Sequence, residues 1–125
     1  MQKTRKVTWE EFEKAMKILT KKIQESRIKF TGISGIERGG LPLATKLSDL
    51  LDIPYVRYPV NQVQLGMLVV DDICSGGKTL TFYKKTFHPG TKFAVWILKK
   101  CSTFIPDFYA ESVPSDVWFR MPYEK

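Results

Sequence analysis

The segment Leu68–Leu80 constrains this chain more than any other part of its sequence. It begins with an apolar run, continues with the adjacent acids Asp71 and Asp72, and then enters a small, glycine-rich turn. This order predicts a buried strand that delivers two carboxylates to the edge of a sheet, followed by a loop whose backbone amides can surround a phosphate. The segment is therefore typical of a sugar-phosphate site.

Strands and helices are predicted to alternate along the rest of the chain. The pattern Thr8-Trp9-Glu10-Glu11 is a capping box, so the first helix is predicted to cover residues 9–26. Apolar patterns and glycine or proline breaks predict strands at 28–34, 54–58, 66–72 and 93–98, and helices at 39–51 and 77–86. The fold class is therefore α/β, with a mostly parallel twisted sheet flanked by helices and ligands bound beyond the carboxyl ends of its strands.

Length and composition predict a single domain over residues 1–125. At 43% hydrophobic residues, the chain has enough apolar material for a core. No apolar run approaches the roughly 20 residues that span a bilayer, and the basic start leads into a charged helix rather than a signal-type apolar segment. We therefore expect a cytoplasmic protein without a membrane partner, in which Cys74 and Cys101 are free thiols.

A net charge of +7 raises the possibility of nucleic-acid binding. Residues 1–27 contain eight basic and four acidic side chains, which places much of the excess near one end of the chain. A solvated helix face explains such a charge run better than an RNA surface does, so a nucleic-acid partner is not expected. A general attraction for small phosphorylated anions is a third explanation, and it fits the glycine turn.

A second distinctive loop, Ser34–Leu41, follows the strand predicted at 28–34. Its glycines permit close backbone approach, and Arg38 offers a guanidinium to an anion. Other named sites are disfavoured: a P-loop needs a glycine where Asp72 stands, and the only histidine, His88, cannot build a zinc site or a histidine-dependent hydrolase.

These two loops carry a family resemblance. Segment 69–79 resembles the phosphoribosyl pyrophosphate motif of type I phosphoribosyltransferases, and segment 37–40 resembles their pyrophosphate loop. Lys99 and segments 106–109 and 116–123 are similar to the tail of bacterial xanthine-guanine phosphoribosyltransferases. The resemblance extends from about Val7 to Tyr123 and implies a type I phosphoribosyltransferase-like fold with a small C-terminal hood.

The activity that this resemblance implies is purine phosphoribosyl transfer. Such a glycosyltransferase of purine salvage moves ribose 5-phosphate from phosphoribosyl pyrophosphate to a purine base, releases pyrophosphate with magnesium, and acts as a homodimer. By resemblance, Asp71 and Asp72 would hold the ribose hydroxyls directly or through magnesium, with Asp72 as the metal ligand.

The resemblance also implies how the substrates are bound. The 5-phosphate would lie against Ser75, Gly76, Gly77, Lys78 and Thr79. Pyrophosphate would contact Glu37, Arg38, Gly39 and Gly40. The purine would meet Lys99 at an exocyclic oxygen and Trp118 at the ring, with Phe119 alongside.

Two departures from the family pattern favour an alternative. Ser75 joins Asp71 and Asp72 in the implied catalytic set, yet it stands where family members usually carry an aspartate as base, and a serine hydroxyl cannot take up a proton near neutral pH in that way. The mobile loop that usually closes over the substrate is reduced to about residues 60–65. The alternative is a non-catalytic sensor or regulator that binds phosphoribosyl pyrophosphate or a nucleotide.

Overall fold

A four-stranded parallel sheet forms the centre of the fold. The computed structural model describes residues 3–57 and 66–124. Its elements in chain order are β1 (Lys3–Lys6), α1 (Trp9–Glu25), β2 (Gly32–Gly35), α2 (Gly40–Leu51), β3 (Met67–Cys74), α3 (Lys78–Thr86), β4 (Lys92–Lys99), β5 (Phe108–Val113) and β6 (Val117–Arg120). The sheet has the order β2-β3-β4-β5, and β1 pairs in parallel with β6 in a separate two-stranded sheet. Within the described ranges, no helix has the length and apolar character needed to cross a bilayer.

Both faces of the central sheet are covered. Helices α1 and α2 pack on one face, where Met16, Leu19 and Leu47 join Trp96 in the larger core cluster. Helix α3 covers the other face, where Leu80 packs with Phe93 in a second cluster. Burial on both sides explains why β3 and β4 are continuous apolar runs rather than alternating ones.

The helices agree closely with the sequence-based predictions. At the start of α1, the Glu11 amide donates to Thr8 Oγ1 at 3.1 Å, and the Thr8 amide donates to the Glu11 side chain at 3.3 Å. These two hydrogen bonds confirm the predicted capping box. Helices α2 and α3 begin one residue after their predicted starts. Most of the lysines of α1 face solvent, and its predicted apolar face is buried, namely Phe12, Ala15, Met16, Leu19 and Ile23.

Two predicted strands are shorter in the structure. The strand predicted at 28–34 spans only Gly32–Gly35, because its partner β3 begins at Met67, directly opposite Gly32. The strand predicted at 54–58 contributes a single bridge between Tyr55 and Ile33, and its last residue lies outside the described ranges. Strands β1, β5 and β6 were not predicted.

The strand that carries the acid pair is longer than predicted. We expected it to end at Asp72, but β3 continues to Cys74 because its pairing with β4 extends to Leu98. On its other side, β2 ends at Gly35, opposite Val70. Asp71 and Asp72 therefore lie inside β3 but beyond the end of β2. The edge of β3 that faces β2 is open at these two residues.

Strands β1 and β6 form the hood that the family resemblance implies, with one strand from each end of the described chain. Arg5 on β1 joins the hood to the central fold, since its guanidinium donates to Glu111 on β5 at 3.0 Å and to Glu11 on α1 at 2.6 Å. These side chains are about one third exposed, so the ion pairs stabilise the fold only modestly.

Candidate active site

A cleft of about 1010 Å³ opens at the carboxyl ends of β2 and β3. Five segments meet in it: the loop after β2, the start of α2, the open edge of β3, the start of α3 and the turn after β6. Its lining consists of Ile36, Glu37, Arg38, Gly39, Leu41, Pro42, Asp71, Asp72, Thr79, Tyr123 and Glu124. The cleft therefore contains both acids and most of the loop that was predicted to bind pyrophosphate.

The two acids are held close together in a partly buried position. The Asp72 amide donates to Asp71 Oδ1 at 2.8 Å, and the Ile73 amide donates to Asp72 Oδ1 at 2.8 Å. Burial, and then the charge of Asp72, raise the pKa of Asp71 to about 8. The pair therefore favours a bound proton or a bound cation over two free negative charges.

The donor set fits magnesium. This ion takes oxygen ligands and is commonly held by one or two carboxylates together with substrate phosphates. Across the two described ranges, no group of three or more His, Cys, Asp or Glu side chains could form a metal cage. Asp71 and Asp72 therefore suit a magnesium ion that a phosphorylated ligand would help to hold.

The raised pKa of Asp71 predicts how stability depends on pH. Between its ordinary pKa of 3.8 and about 8, the folded protein binds more protons than the unfolded chain, so the free energy of unfolding falls as pH rises through this range. In the absence of divalent cations, Asp71→Asn should raise Tm by several degrees at about pH 8 and flatten the pH profile. Melting curves between about pH 5 and 9 measure this, with the exposed Asp49→Asn as control. A variant profile as steep as that of the wild type contradicts the assignment.

The glycine-rich turn after β3 forms a second, smaller cavity of about 240 Å³. Gly77 has a φ of +90°, a conformation that favours glycine, and it places the N-terminus of α3 at Lys78 against this cavity. Segment 73–80 lines the cavity together with Asp71. Because Asp71 and Thr79 line both cavities, the cavity at the glycine-rich turn and the larger cleft form one continuous site.

The glycine-rich turn after β3 is held in place by hydrogen bonds from the segment that follows β4. The Thr103 amide donates to the Gly76 carbonyl at 3.3 Å, and Cys101 Sγ donates to the Ser75 carbonyl at 3.4 Å. Cys101 is exposed and Cys74 is buried, and both are free thiols as predicted. These contacts leave the side chain of Ser75 exposed at the mouth of the loop.

The loop after β2 lies directly against the acid-bearing strand. A Cβ atom on Gly39 would lie 2.3 Å from Asp72 Oδ2, and one on Gly40 would lie 2.2 Å from the Val70 carbonyl oxygen. The Glu37–Arg38 peptide bond is cis, and both of these side chains are exposed in the cleft. Glycine is therefore needed at two successive positions because the loop backbone touches β3.

The residues predicted for base recognition are only partly brought together. Lys99 ends β4 with 9% of its surface exposed, and its Nζ lies 5.2 Å from the ring centroid of Trp118, which is 54% exposed. Phe119 faces the opposite side of β6, packs against the core and lies under the Arg5 guanidinium. Among the described residues, the lining of the two cavities does not include Lys99 or Trp118.

One residue of the site was missed by the sequence analysis. Tyr123 lies in the turn after β6, and its hydroxyl donates to Asp72 Oδ2 at 3.2 Å. Its sequence context, Pro122-Tyr123-Glu124, has no pattern that separates it from a packed aromatic residue. Only the folded chain shows that it reaches the acid pair.

Comparison with known proteins identifies relatives of this chain, although no protein-family profile matches it. A xanthine-guanine phosphoribosyltransferase from Idiomarina loihiensis is 26% identical, with 94% of this chain and 85% of that protein aligned. The crystal structure of a purine phosphoribosyltransferase from Pyrococcus horikoshii superposes with a TM-score of 0.80 at 26% identity, covering 98% of this chain and 95% of that one. A hypothetical protein from Neisseria gonorrhoeae, solved with bound ppGpp, has a TM-score of 0.84 at 23% identity and covers 100% and 91% of the two chains. The predicted fold class is confirmed.

Proposed function

We propose that this chain, a member of the type I phosphoribosyltransferase family, transfers ribose 5-phosphate from phosphoribosyl pyrophosphate to a purine base and releases pyrophosphate. One observation carries the proposal. The open edge of β3 places Asp71 and Asp72 between two glycine-containing loops, one at the N-terminus of α3 and one before α2. A sugar that carries a phosphate at one end and a pyrophosphate at the other matches that order of groups.

The two loops and the acid pair would each bind a different group of the substrate. Backbone amides of segment 75–79 and the N-terminus of α3 would bind the 5-phosphate. Asp71 and Asp72 would bind the ribose hydroxyls, and Asp72 would also hold magnesium. Segment 37–40 would bind the pyrophosphate, with the Arg38 guanidinium as its main cation.

The reaction breaks the bond between C1 of the ribose and the pyrophosphate oxygen and forms a bond from C1 to a purine nitrogen, whose proton passes to the released pyrophosphate or to water. Negative charge develops on the leaving pyrophosphate, where fixed donors of segment 37–40 stabilise it. When bound, magnesium would neutralise part of the same charge. Because Ser75 is not a base, the chain's contribution would be the positioning of the two substrates and the stabilisation of charge.

The base would bind on the hood side of the site. Lys99 would donate to an exocyclic oxygen of the purine, and the exposed Trp118 would stack on its ring. We assign Phe119 the supporting role of anchoring β6 to the core, because it faces away from Trp118. We further propose that the protein acts in cytoplasmic purine salvage, as a single domain that forms homodimers.

A second candidate function is a non-catalytic sensor of phosphorylated nucleotides. The Neisseria gonorrhoeae protein with bound ppGpp, which covers the whole of this chain, favours it. The nucleotide ppGpp carries diphosphates on both sides of its ribose, so it too would suit an acid pair between two phosphate loops. Ser75, in the place of the usual base, favours the same candidate.

A single assay separates the two functions. The protein is mixed with phosphoribosyl pyrophosphate, magnesium and guanine, xanthine or hypoxanthine, and the nucleotide and pyrophosphate formed are measured beside the heat of binding. We expect nucleotide and pyrophosphate in equal amounts. Binding of phosphoribosyl pyrophosphate or ppGpp without product would favour the sensor. The absence of both binding and product would reject both functions.

A further inference from the structure

The hydroxyl of Tyr123 reaches the acid pair from a distant part of the chain. It donates to Asp72 Oδ2 at 3.2 Å, although the two residues are 51 positions apart. The other oxygen, Asp72 Oδ1, accepts from the Ile73 amide at 2.8 Å. Both carboxylate oxygens of Asp72 therefore have a fixed donor, whereas the side chain of Asp71 has one such contact, from the Asp72 amide.

The position of Tyr123 is set by packing against the start of α1. Its ring lies 6.3 Å from that of Phe12 and 6.1 Å from that of Trp9, in tilted or edge-on contacts. The turn that carries it is closed by the Met121 amide, which donates to Glu124 Oε1 at 2.9 Å. The hydroxyl is thus held against Asp72 by groups that do not belong to the acid pair.

The hydroxyl is a permanent donor in this position. The ordinary pKa of a tyrosine hydroxyl is about 10. Tyr123 therefore keeps its proton at physiological pH, and a hydrogen bond from a neutral donor to a carboxylate is of the strong, charge-assisted kind.

We infer that Tyr123 is a positioning residue that fixes the Asp72 carboxylate in the orientation in which it receives magnesium and the ribose hydroxyls. Gly39 lies against the same carboxylate, where a Cβ would be 2.3 Å from Oδ2. Asp72 is thus held between the hood, the loop before α2 and its own strand. The inference rests on the proposed function, because it assigns Asp72 to the binding of phosphoribosyl pyrophosphate.

The test is Tyr123→Phe, which removes the hydroxyl and keeps the ring. The magnesium concentration that gives half-maximal binding of phosphoribosyl pyrophosphate should rise about tenfold, the effect of losing one hydrogen bond to a charged group. Tm without ligand should change by only a few degrees, because the aromatic contacts remain. Tyr109→Phe is the matched control, since Tyr109 lies on β5, two strands from β3, and contacts Lys22 instead; its magnesium midpoint should equal that of the wild type.

A second variant tests whether the hydroxyl acts through Asp72. In an Asp72→Asn background, Tyr123→Phe should add less than about twofold, because coupled residues are not additive. A full tenfold effect in that background would overturn the inference.

Other outcomes are equally decisive. A Tyr123→Phe midpoint within about twofold of the wild type, in a wild-type protein that binds phosphoribosyl pyrophosphate with magnesium, overturns this inference and leaves the proposed function standing. A wild-type protein that does not bind overturns both. Should Tyr123→Phe fail to fold, labelled tyrosine in the wild type replaces it: the ring carbon bearing the Tyr123 hydroxyl should shift when magnesium and phosphoribosyl pyrophosphate are added, and an unmoved resonance contradicts the role.

Discussion

Gly39→Ala is expected to weaken magnesium-dependent binding of phosphoribosyl pyrophosphate by about 100-fold, or roughly 2.7 kcal/mol, which is the size of effect expected when a charged ligand group is displaced from its contacts. The new methyl group would lie 2.3 Å from Oδ2, 2.6 Å from Cγ and 2.7 Å from Oδ1 of Asp72, so either the carboxylate or the loop must move. The backbone itself accepts alanine, since Gly39 has a φ of −61°. Calorimetric titration with phosphoribosyl pyrophosphate and magnesium measures the effect.

Gly76→Ala is the matched control for this substitution. A Cβ on Gly76 meets no atom within 4 Å, although the residue lies in the other glycine-containing loop. We expect its loss of binding to be less than about tenfold. Equal losses in the two variants would show that any methyl group in these loops is harmful, and would contradict the specific role of the Gly39–Asp72 contact.

Asp72→Asn should weaken binding of phosphoribosyl pyrophosphate to a similar extent, because it removes a charge rather than adding volume. The amide is nearly the same size as the carboxylate but has lost the negative charge that suits magnesium, and charge-assisted contacts of this kind contribute roughly 1.5–3 kcal/mol. Binding of phosphoribosyl pyrophosphate in saturating magnesium should weaken by about 10- to 100-fold. Asp116→Asn, the same change at an exposed position, serves as control.

The Tm of Asp72→Asn distinguishes a loss of binding from unfolding of the variant. The charge of Asp72 is one cause of the raised pKa of Asp71, so its removal should relieve repulsion in the acid pair. Without divalent cations, Tm of Asp72→Asn should therefore be no lower than that of the wild type at about pH 8. A large fall in Tm, or unchanged affinity, would argue against the role given to Asp72.

Local patterns in the sequence were sufficient for the three helices and for β3 and β4 of the central sheet. The capping box at Thr8 and the apolar runs of β3 and β4 predicted their elements because burial on both faces of a parallel sheet leaves a strong local signal. Strand β1, with the polar sequence Lys-Thr-Arg-Lys, leaves no such signal. Its strand conformation comes from pairing with β6, which only the folded chain provides.

The same contrast between local patterns and long-range contacts applies to the residues of the site. The two glycine-containing loops and the acid pair could be recognised because each occupies a short segment with a distinctive residue order. The contact of Tyr123 with Asp72 could not, since it joins segments that have no common pattern. The orientation of Phe119 follows once Trp118 is known to lie on a strand, because successive strand residues face opposite sides.

The pairing of β1 with β6 has a consequence for the order in which the site can assemble. Each of the two glycine-containing loops forms within one strand–loop–helix unit, whereas the hood is joined to the central sheet by contacts such as Arg5 with Glu111, 106 positions apart. Closing so long a stretch of chain has a larger entropic cost and is slower than forming local contacts. We therefore expect the two glycine-containing loops to form before the hood docks on the central sheet during folding.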